Sequence, residues 1–360
     1  MVLYSIIIVE NIKDIKIFII RNYMNFKFNR GTNISHWLSQ RLKGDNYLKR
    51  FSEKDAAMLA KLGLDHLRLP FEEQILWDTS GNKINESWDL LHKGINWTLA
   101  NGMNVILDLH STRTHHFISK NENKLFTDKN APYEFAEIWR KLSKEFASLP
   151  NDKVAYELLN EPLATDSEDW NRVLKFPYNA IRENESERVI AIGSNRWCKT
   201  STYPEFKPPE NDSNLILVFH YYNPMPVTHY RASWMNSFQA YKGTVTYPGI
   251  PYQENEIKKL DKEVQDFLNK ENNYFDISIM ESQLQPVLKK AKKMNLKLWC
   301  NEFGVINCTP EKIAGKWYKD LIYLFNKHNI SWANWDFKGG FGIFDQNNKP
   351  TANAKYLFQK

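Results

Sequence analysis

The chain has 360 residues, of which 42% are hydrophobic and 14% aromatic, and its formal net charge is +6. This length accommodates one large barrel or two ordinary domains, and the apolar fraction is sufficient for a sizeable core. Acidic and basic residues are interspersed without a basic block, so we expect no nucleic-acid partner. The three cysteines, Cys198, Cys300 and Cys308, form neither a CxxC pair nor a disulfide framework.

Residues 1–23 contain two short apolar runs interrupted by charges. Neither run is long enough to span a membrane, no basic segment precedes the first, and no small-residue cleavage signal follows. We therefore expect no membrane partner, a cytoplasmic chain, and an N-terminal extension outside a folded domain of residues 24–360. Two alternatives stay open. Residues 1–23 could be an extra strand or helix packed on the domain, and the chain would be extracellular if its start is misassigned or its export non-classical.

Apolar segments of strand length recur along the chain, and most are followed by a helical pattern. Ser52 and the residues after it form a capping box that opens a helix ended by Gly63, and Pro132 begins the longest amphipathic helix. Proline is expected to stop the second strand at Pro70. The predicted strands are residues 28–33, 64–70, 103–110, 154–159, 188–193, 215–220, 296–302 and 330–335. Eight strands alternating with helices predict an α/β fold, a single (β/α)8 TIM barrel.

A long loop insertion follows the sixth predicted strand. Residues 223–280 separate that strand from the next obvious helix, which is long for a barrel loop. The insertion is rich in aromatic residues: Trp234, Phe238, Tyr241, Tyr247 and Tyr252. We predict that it forms one wall of the cleft at the catalytic face; the alternative is that these rings bury one another in a small satellite core.

Two predicted strands end in the same way. The segments 154–162 and 296–304 each run from an apolar strand into an Asn-Glu pair, which places Glu161 and Glu302 at the carboxyl ends of strands. In a parallel barrel these ends converge on one face, where residues distant in sequence meet. Two carboxylates so placed are what a glycosidase requires. Further polar or aromatic residues at strand ends are Arg68, His110, Asn160, His220, Tyr222 and Trp335.

Taken in order, these motifs resemble glycoside hydrolase family 5, the cellulase-type barrels, from about Gly31 to the C-terminal segment. The resemblance is carried by Leu67-Arg68-Leu69-Pro70, Leu107-Asp108-Leu109-His110, Leu159-Asn160-Glu161-Pro162, His220-Tyr221-Tyr222, Asn301-Glu302-Phe303-Gly304 and Trp335. It implies a retaining β-1,4-glucanase that needs no cofactor or metal, acts on a β-glucan and is expected to be a monomer. β-Mannanase, xyloglucanase, exo-acting β-glucosidase and β-1,3-glucanase activities stay open, as does a barrel that binds sugar without cutting it.

The resemblance also implies roles for individual residues. Glu161 would be the acid/base, protonated at the start because burial and the Glu302 charge raise its pKa. Glu302 would be the nucleophile, held ionised by hydrogen bonds from Arg68 and Tyr222. Asn160 would bind the sugar 2-hydroxyl.

The remaining expectations concern side chains around this pair. His110 and His220 would hold hydroxyls or the acid/base, and Trp335 would stack under the sugar at the cleavage point. Asn33 and Trp37 complete the expected substrate-binding set, with Trp37 open between lining the cleft and plain packing. A metal-dependent hydrolase is a further alternative, for which the first strand offers only Asn33 and, beyond it, His36.

Overall fold

A computed structural model of the chain describes residues 25–41, 46–118 and 123–358. The predicted extension at residues 1–23 lies outside this described part. Within it, eight parallel strands close into a barrel in chain order, as predicted. The strands are β1 (Arg30–Asn33), β2 (His66–Glu72), β3 (Asn104–Ser111), β4 (Val154–Glu157), β5 (Ile190–Gly193), β6 (Leu215–Tyr221), β7 (Lys297–Phe303) and β8 (Ser331–Asn334).

Helices surround the barrel, and the longer ones carry the amphipathic patterns read from the sequence. They are α1 (Glu53–Lys61), α2 (Glu73–Leu76), α3 (Asn85–Ala100), α4 (Lys124–Thr127), α5 (Ala131–Phe146), α6 (Ser167–Val173), α7 (Lys175–Arg182), α8 (Asn195–Cys198), α9 (Met225–Thr228), α10 (Asn236–Ala240), α11 (Glu254–Ile257), α12 (Lys262–Glu271), α13 (Ile277–Met294), α14 (Glu311–Lys327) and α15 (Ala352–Phe358). As predicted, the Ser52 side chain accepts a hydrogen bond from the Asp55 amide at the start of α1. No helix in residues 25–41, 46–118 and 123–358 is both long and apolar enough to cross a membrane.

Pro70 does not end the second strand, contrary to the prediction from sequence. It lies inside β2, in register with Asp108 of β3. The Arg68 carbonyl accepts from Ile34, and the Glu72 amide donates to Leu38, so alternate backbone groups of β2 point toward the β1 side. The missing N–H of Pro70 falls on that side, beyond the end of β1, where no ladder hydrogen bond is lost.

Alternation along the strands sorts side chains between two environments. In β4, Val154 and Tyr156 pack into the large cluster shared with the helices, whereas Ala155 belongs to a separate small apolar cluster that includes Trp299. A strand places every second side chain on the same face. Glu157 is therefore on the same barrel-interior face as Ala155.

The buried rings of the insertion between β6 and α13 belong to the large hydrophobic cluster that the barrel helices share. Phe238, Tyr241, Tyr247 and Tyr252 are all buried. Tyr241 stacks on Tyr252 with ring centroids 3.9 Å apart, and the Tyr247 hydroxyl donates to Asp320 of α14 at 2.8 Å. For these four rings the cleft-wall prediction is wrong, because they pack on one another and on the barrel helices.

Trp37 is also a core residue, so the expectation that it lines the cleft is wrong. Its side chain is fully buried and meets Phe51 edge-on, with centroids 5.2 Å apart. The indole lies so close to α3 that a Cβ atom at Gly94 would come within 2.5 Å of it. Gly94 thus provides the space into which this ring packs.

Candidate active site

Glu161 and Glu302 meet at the carboxyl ends of β4 and β7. Glu161 follows the end of β4 and has a left-handed backbone (φ 45°), which is uncommon for a residue other than glycine. Such conformations cluster at functional sites. Glu302 lies in β7, where a register shift brings it opposite His220 of β6. One oxygen of each carboxylate and one ring nitrogen of His220 all lie within 4.8 Å of one another.

The two carboxylates have different hydrogen-bond partners. Arg68 Nη1 donates to Glu302 Oε1 at 2.6 Å, and the Tyr222 hydroxyl donates to Glu302 Oε2 at 3.2 Å. Glu161 Oε1 lies 2.8 Å from His220 Nδ1, which is 3.5 Å from Glu302. A guanidinium and a phenol both stabilise an anion, so Glu302 occupies the site better suited to a charged carboxylate.

Arg68 is held by a buried cluster of carboxylates that sequence reasoning missed. Glu157 accepts from Arg68 Nε at 2.7 Å and from Nη2 at 2.8 Å, and Asp108 Oδ2 lies 3.0 Å from Nη2. All three side chains are fully buried. A signal was available, because Asp108 and Glu157 are charges inside apolar strands, two and four residues before His110 and Glu161. A charge at such a position requires a partner.

Asn33 supports Arg68 rather than facing a substrate. Its Oδ1 accepts from Arg68 at 2.9 Å, and its Nδ2 donates to the carbonyls of Asn301 and Asn334. Asn160 differs, because its Oδ1 accepts from Arg68 at 2.8 Å while its buried Nδ2 has no hydrogen-bond partner among the described residues. That amide is a spare donor at the mouth of the barrel.

His110 and Trp335 form a stacked pair. Their rings are 5.6 Å apart and 8° from parallel, and Asp108 Oδ2 lies 2.7 Å from His110 Nδ1. The buried Nε2 atoms of His110 and His220 both lack a hydrogen-bond partner within the part of the chain that the structure describes. Unsatisfied buried polar atoms of this kind are rare and call for an explanation.

Burial raises the pKa of both catalytic candidates. For Glu161 it raises the pKa to about 7, against the opposing charges of Arg68 and Lys199. For Glu302 it also raises the pKa to about 7, although His220 and Arg68 oppose the shift, and the Glu161 charge adds to it. The expected rise in the pKa of Glu161 is confirmed in direction, with burial as its cause. At Glu302 the effect of burial on the pKa outweighs the opposing charge of Arg68. The two carboxyl groups therefore differ in their hydrogen-bond partners and not in their pKa values.

Two other histidine and carboxylate features bear on the chemistry. Glu161, His220 and Glu302 each offer one ligand atom and are close enough together to hold a divalent cation. His115 is buried, and its Nε2 accepts from the Leu163 amide at 3.2 Å. Burial lowers the pKa of His115 to about 3, so it is a neutral structural residue.

Comparisons with known proteins agree with this geometry. Endoglucanase C of Acetivibrio thermocellus is 30% identical over 330 residues, covering 90% of this chain and 96% of that protein. Cellodextrinase A of Ruminococcus flavefaciens is 27% identical over 310 residues, covering 84% and 83%.

Solved structures share the fold. Thermotoga maritima Cel5A in complex with mannotriose superposes with a TM-score of 0.73 at 21% identity, covering 92% of this chain and 96% of that one. The cellulose synthase subunit Z of Clostridioides difficile gives a TM-score of 0.74 at 24% identity, covering 92% and 98%. The family profile "Cellulase (glycosyl hydrolase family 5)" matches residues 27–340, and the chain therefore belongs to glycosyl hydrolase family 5.

Proposed function

We propose that this chain is a retaining endo-β-1,4-glucanase in which Glu302 is the nucleophile and Glu161 the acid/base. The observation that carries the mechanism is the close approach of the two carboxylates, with one oxygen of each within 4.8 Å. Retaining glycosidases hold their carboxyl groups about 5–5.5 Å apart, whereas inverting enzymes leave about 6.5–9.5 Å for a water molecule.

In the first step Glu302 attacks the anomeric carbon while protonated Glu161 donates its proton to the departing glycosidic oxygen. This forms a glycosyl ester on Glu302 and neutralises its charge. Glu161, now ionised, takes a proton from water, whose oxygen attacks the same carbon and releases Glu302. Two inversions give net retention, and the proton inventory returns to its starting point.

Hydrogen bonding supports this assignment over its reverse. The nucleophile must be ionised, and Glu302 accepts from Arg68 and Tyr222, whereas Glu161 Oε1 lies against the imidazole of His220. Burial holds the pKa of His220 below its ordinary value, so this ring does not stabilise a charged Glu161 as strongly as Arg68 stabilises Glu302.

The surrounding residues supply contacts to the sugar. The free Nδ2 of Asn160 would donate to the 2-hydroxyl, a contact that strengthens as the transition state develops. Trp335, whose ring lies parallel to that of His110, would lie under the sugar at the cleavage point. His220 would orient the acid/base.

The choice of β-1,4-glucan rests on the names of the relatives, which are endoglucanases and a cellodextrinase. β-Mannan, xyloglucan, xylan and β-1,3-glucan are the competing substrates, and exo action is the competing mode. Release of reducing ends should be measured on carboxymethyl cellulose, mixed-linkage glucan and each competitor. A fall in viscosity that precedes most of the reducing-end release would support endo action, whereas release of glucose alone would contradict it.

Proton NMR of the first product formed tests the mechanism. The β-anomer should appear first, and initial appearance of the α-anomer would refute retention. Azide tests the two roles separately. Glu302→Ala with azide should yield an α-glycosyl azide, because azide replaces the nucleophile. Glu161→Ala should yield a β-glycosyl azide, because azide attacks the glycosyl-enzyme without needing a base.

Two rival functions give different results in the same assays. A barrel that binds sugar without cutting it would show affinity for cello-oligosaccharides and no turnover on any glucan. A metal-dependent hydrolase would lose activity with EDTA and regain it when the cation is returned, whereas we expect activity in the presence of EDTA.

The proposal takes the monomer as the active unit, because the residues assigned to the chemistry all come from one chain. Size-exclusion chromatography with light scattering, run at the assay concentration, tests this. A dimer whose dilution abolishes activity would contradict it.

A further inference from the structure

Asp108 and His110 are two residues apart in β3, and both are buried. Asp108 Oδ2 lies 2.7 Å from His110 Nδ1 and 3.0 Å from Arg68 Nη2. The positive charge of the guanidinium lies next to this oxygen, which makes it the less favourable of the two positions for a carboxyl proton. The His110 nitrogen that faces the same oxygen is then the one that carries hydrogen.

That arrangement determines what the other ring nitrogen can do. In a neutral imidazole one nitrogen donates and the other accepts, and the partner of one sets the state of the other. Burial holds the pKa of His110 well below its ordinary value, so the ring is neutral. With hydrogen on Nδ1, Nε2 is a bare acceptor. It is buried and has no hydrogen-bond partner anywhere in residues 25–41, 46–118 and 123–358.

We propose that Asp108 is a positioning residue for hydrolysis, which keeps His110 in the Nδ1–H tautomer so that Nε2 accepts a hydrogen bond from a hydroxyl of the glucosyl ring at the cleavage point. The proposal rests on the proposed function. His110 lies near the carboxyl end of β3, on the same face of the barrel as Glu161 and Glu302, and its ring is parallel to that of Trp335. An unpartnered buried acceptor on that face is available to a sugar hydroxyl. The shared oxygen also links His110 to Arg68 and, through it, to Glu302.

Two substitutions distinguish the effect of the Asp108 charge from its effect on the His110 tautomer. Asp108→Asn removes the charge but keeps an oxygen that can face both Arg68 and Nδ1–H. Asp108→Ala removes the acceptor. Long-range ¹H–¹⁵N NMR of the imidazole should show an unprotonated Nε2 in the wild type and in Asp108→Asn, and loss of that single tautomer in Asp108→Ala. A wild-type spectrum with hydrogen on Nε2 overturns the proposal, whether or not the protein hydrolyses glucan.

The chain offers a matched control at the opposite end of the barrel. His66 Nδ1 lies 2.7 Å from Asp65 Oδ1, and His66 is also buried. Asp65→Asn makes the same chemical change far from Glu161 and Glu302, and it should leave kcat/KM within about twofold.

Kinetics with modified substrates test the direction of the hydrogen bond. The probes are aryl β-cellobiosides in which the 3- or 6-hydroxyl of the ring at the cleavage point is replaced by hydrogen or fluorine. One deoxy compound should lose roughly fivefold in kcat/KM with the wild type and less than about twofold with Asp108→Ala, since a neutral hydrogen bond contributes about 1 kcal/mol. Fluorine can accept a hydrogen bond but cannot donate one. Apart from its inductive effect, the fluoro compound should therefore lose as much kcat/KM as the deoxy compound.

The inductive effect of fluorine is common to both enzymes and cancels when the wild type is compared with Asp108→Ala. If fluorine restores what the deoxy compound lost, Nε2 is a donor and the proposal is wrong. A structural role for Asp108 would lower the melting temperature of both Asp108 variants and leave the deoxy penalty unchanged. If Asp108→Ala does not fold, two measurements still test the proposal. These are the tautomer of His110 in the wild type and the kcat/KM of Asp108→Asn, which should stay close to that of the wild type.

Discussion

Arg68 Nη1 donates to Glu302 Oε1 at 2.6 Å while the Nε and Nη2 atoms of the same guanidinium are engaged by Glu157. The position of the proposed nucleophile is therefore set by a side chain that is itself immobilised from a different strand. Arg68 and Glu157 are fully buried. Fixed donors of this kind stabilise charge without reorganising during the reaction.

Arg68→Met should destabilise the fold as well as abolish turnover. It leaves Glu157, Asp108 and Glu302 buried without their cation, and breaking a buried ion pair in this way costs about 3–5 kcal/mol. Urea unfolding measures the loss. Arg140→Met is the control, because Arg140 pairs with Glu137 and Glu183 on the surface and such pairs contribute about 0–1 kcal/mol. Equal losses for the two variants would contradict a structural role for the buried cluster.

Tyr222→Phe should move the acid limb of the pH profile to higher pH. The variant loses the 3.2 Å hydrogen bond that stabilises the Glu302 carboxylate, so the pKa of Glu302 rises further above its ordinary value. The measurement is kcat/KM against pH, with a fall of about tenfold to a hundredfold expected at the optimum. Tyr221→Phe is the control, because the Tyr221 hydroxyl bonds Gln283 instead. An acid limb that stays in place in Tyr222→Phe would refute the assigned role.

Glu161→Gln should become more stable than the wild type as pH rises. Burial raises the folded-state pKa of Glu161 to about 7, above its unfolded value. A group with a raised pKa contributes stability below its unfolded pKa and loses it as pH rises through the folded one. Glutamine carries no charge to bury, so the variant should gain roughly 2–3 kcal/mol relative to the wild type between pH 4.5 and 8.

Urea unfolding at several pH values measures this difference. Glu254→Gln serves as the control, because a hydrogen bond from Lys258 holds the pKa of this exposed carboxyl below its ordinary value. The free energy of unfolding of Glu254→Gln should not increase relative to the wild type as pH rises. A Glu161→Gln difference that is independent of pH would mean that Glu161 is solvated.

Trp234→Ala should weaken binding of long substrates. Trp234 is 58% exposed, and its ring contacts His229 and Phe341, which in turn contact Tyr222 at the site. A stacked ring contributes about 0.5–1.5 kcal/mol beyond area burial. KM for cellohexaose should therefore rise about threefold to tenfold, with no change for a short aryl glycoside.

Tyr274→Ala is the matched control for Trp234→Ala, because Tyr274 belongs to the same insertion and is 57% exposed. It should alter neither KM nor melting temperature. Tyr241→Ala, which removes a buried ring stacked on Tyr252, should instead lower stability by about 3–5 kcal/mol and leave the length preference intact. Equal effects of Trp234→Ala and Tyr274→Ala on KM would contradict the prediction that the insertion contributes to the cleft.

The sequence by itself determined the barrel and the positions of the two glutamates. The alternation of strands and helices specifies the topology, and converging strand ends bring Glu161 and Glu302 together whatever the loops do. Period-two alternation within β3 also determines that Asp108 and His110 share the barrel interior, although that pattern was not used to identify Asp108.

Only the tertiary structure decided which neighbour each side chain meets. Trp37 and the insertion tyrosines are aromatic in the same way as Trp234, and composition does not distinguish a ring that packs into the core from one that stays exposed. Trp37 is in the core because Gly94, on a helix far along the chain, leaves room for it. The physical reason is that local sequence periodicity selects the face on which a residue lies, whereas packing against distant segments selects its partner.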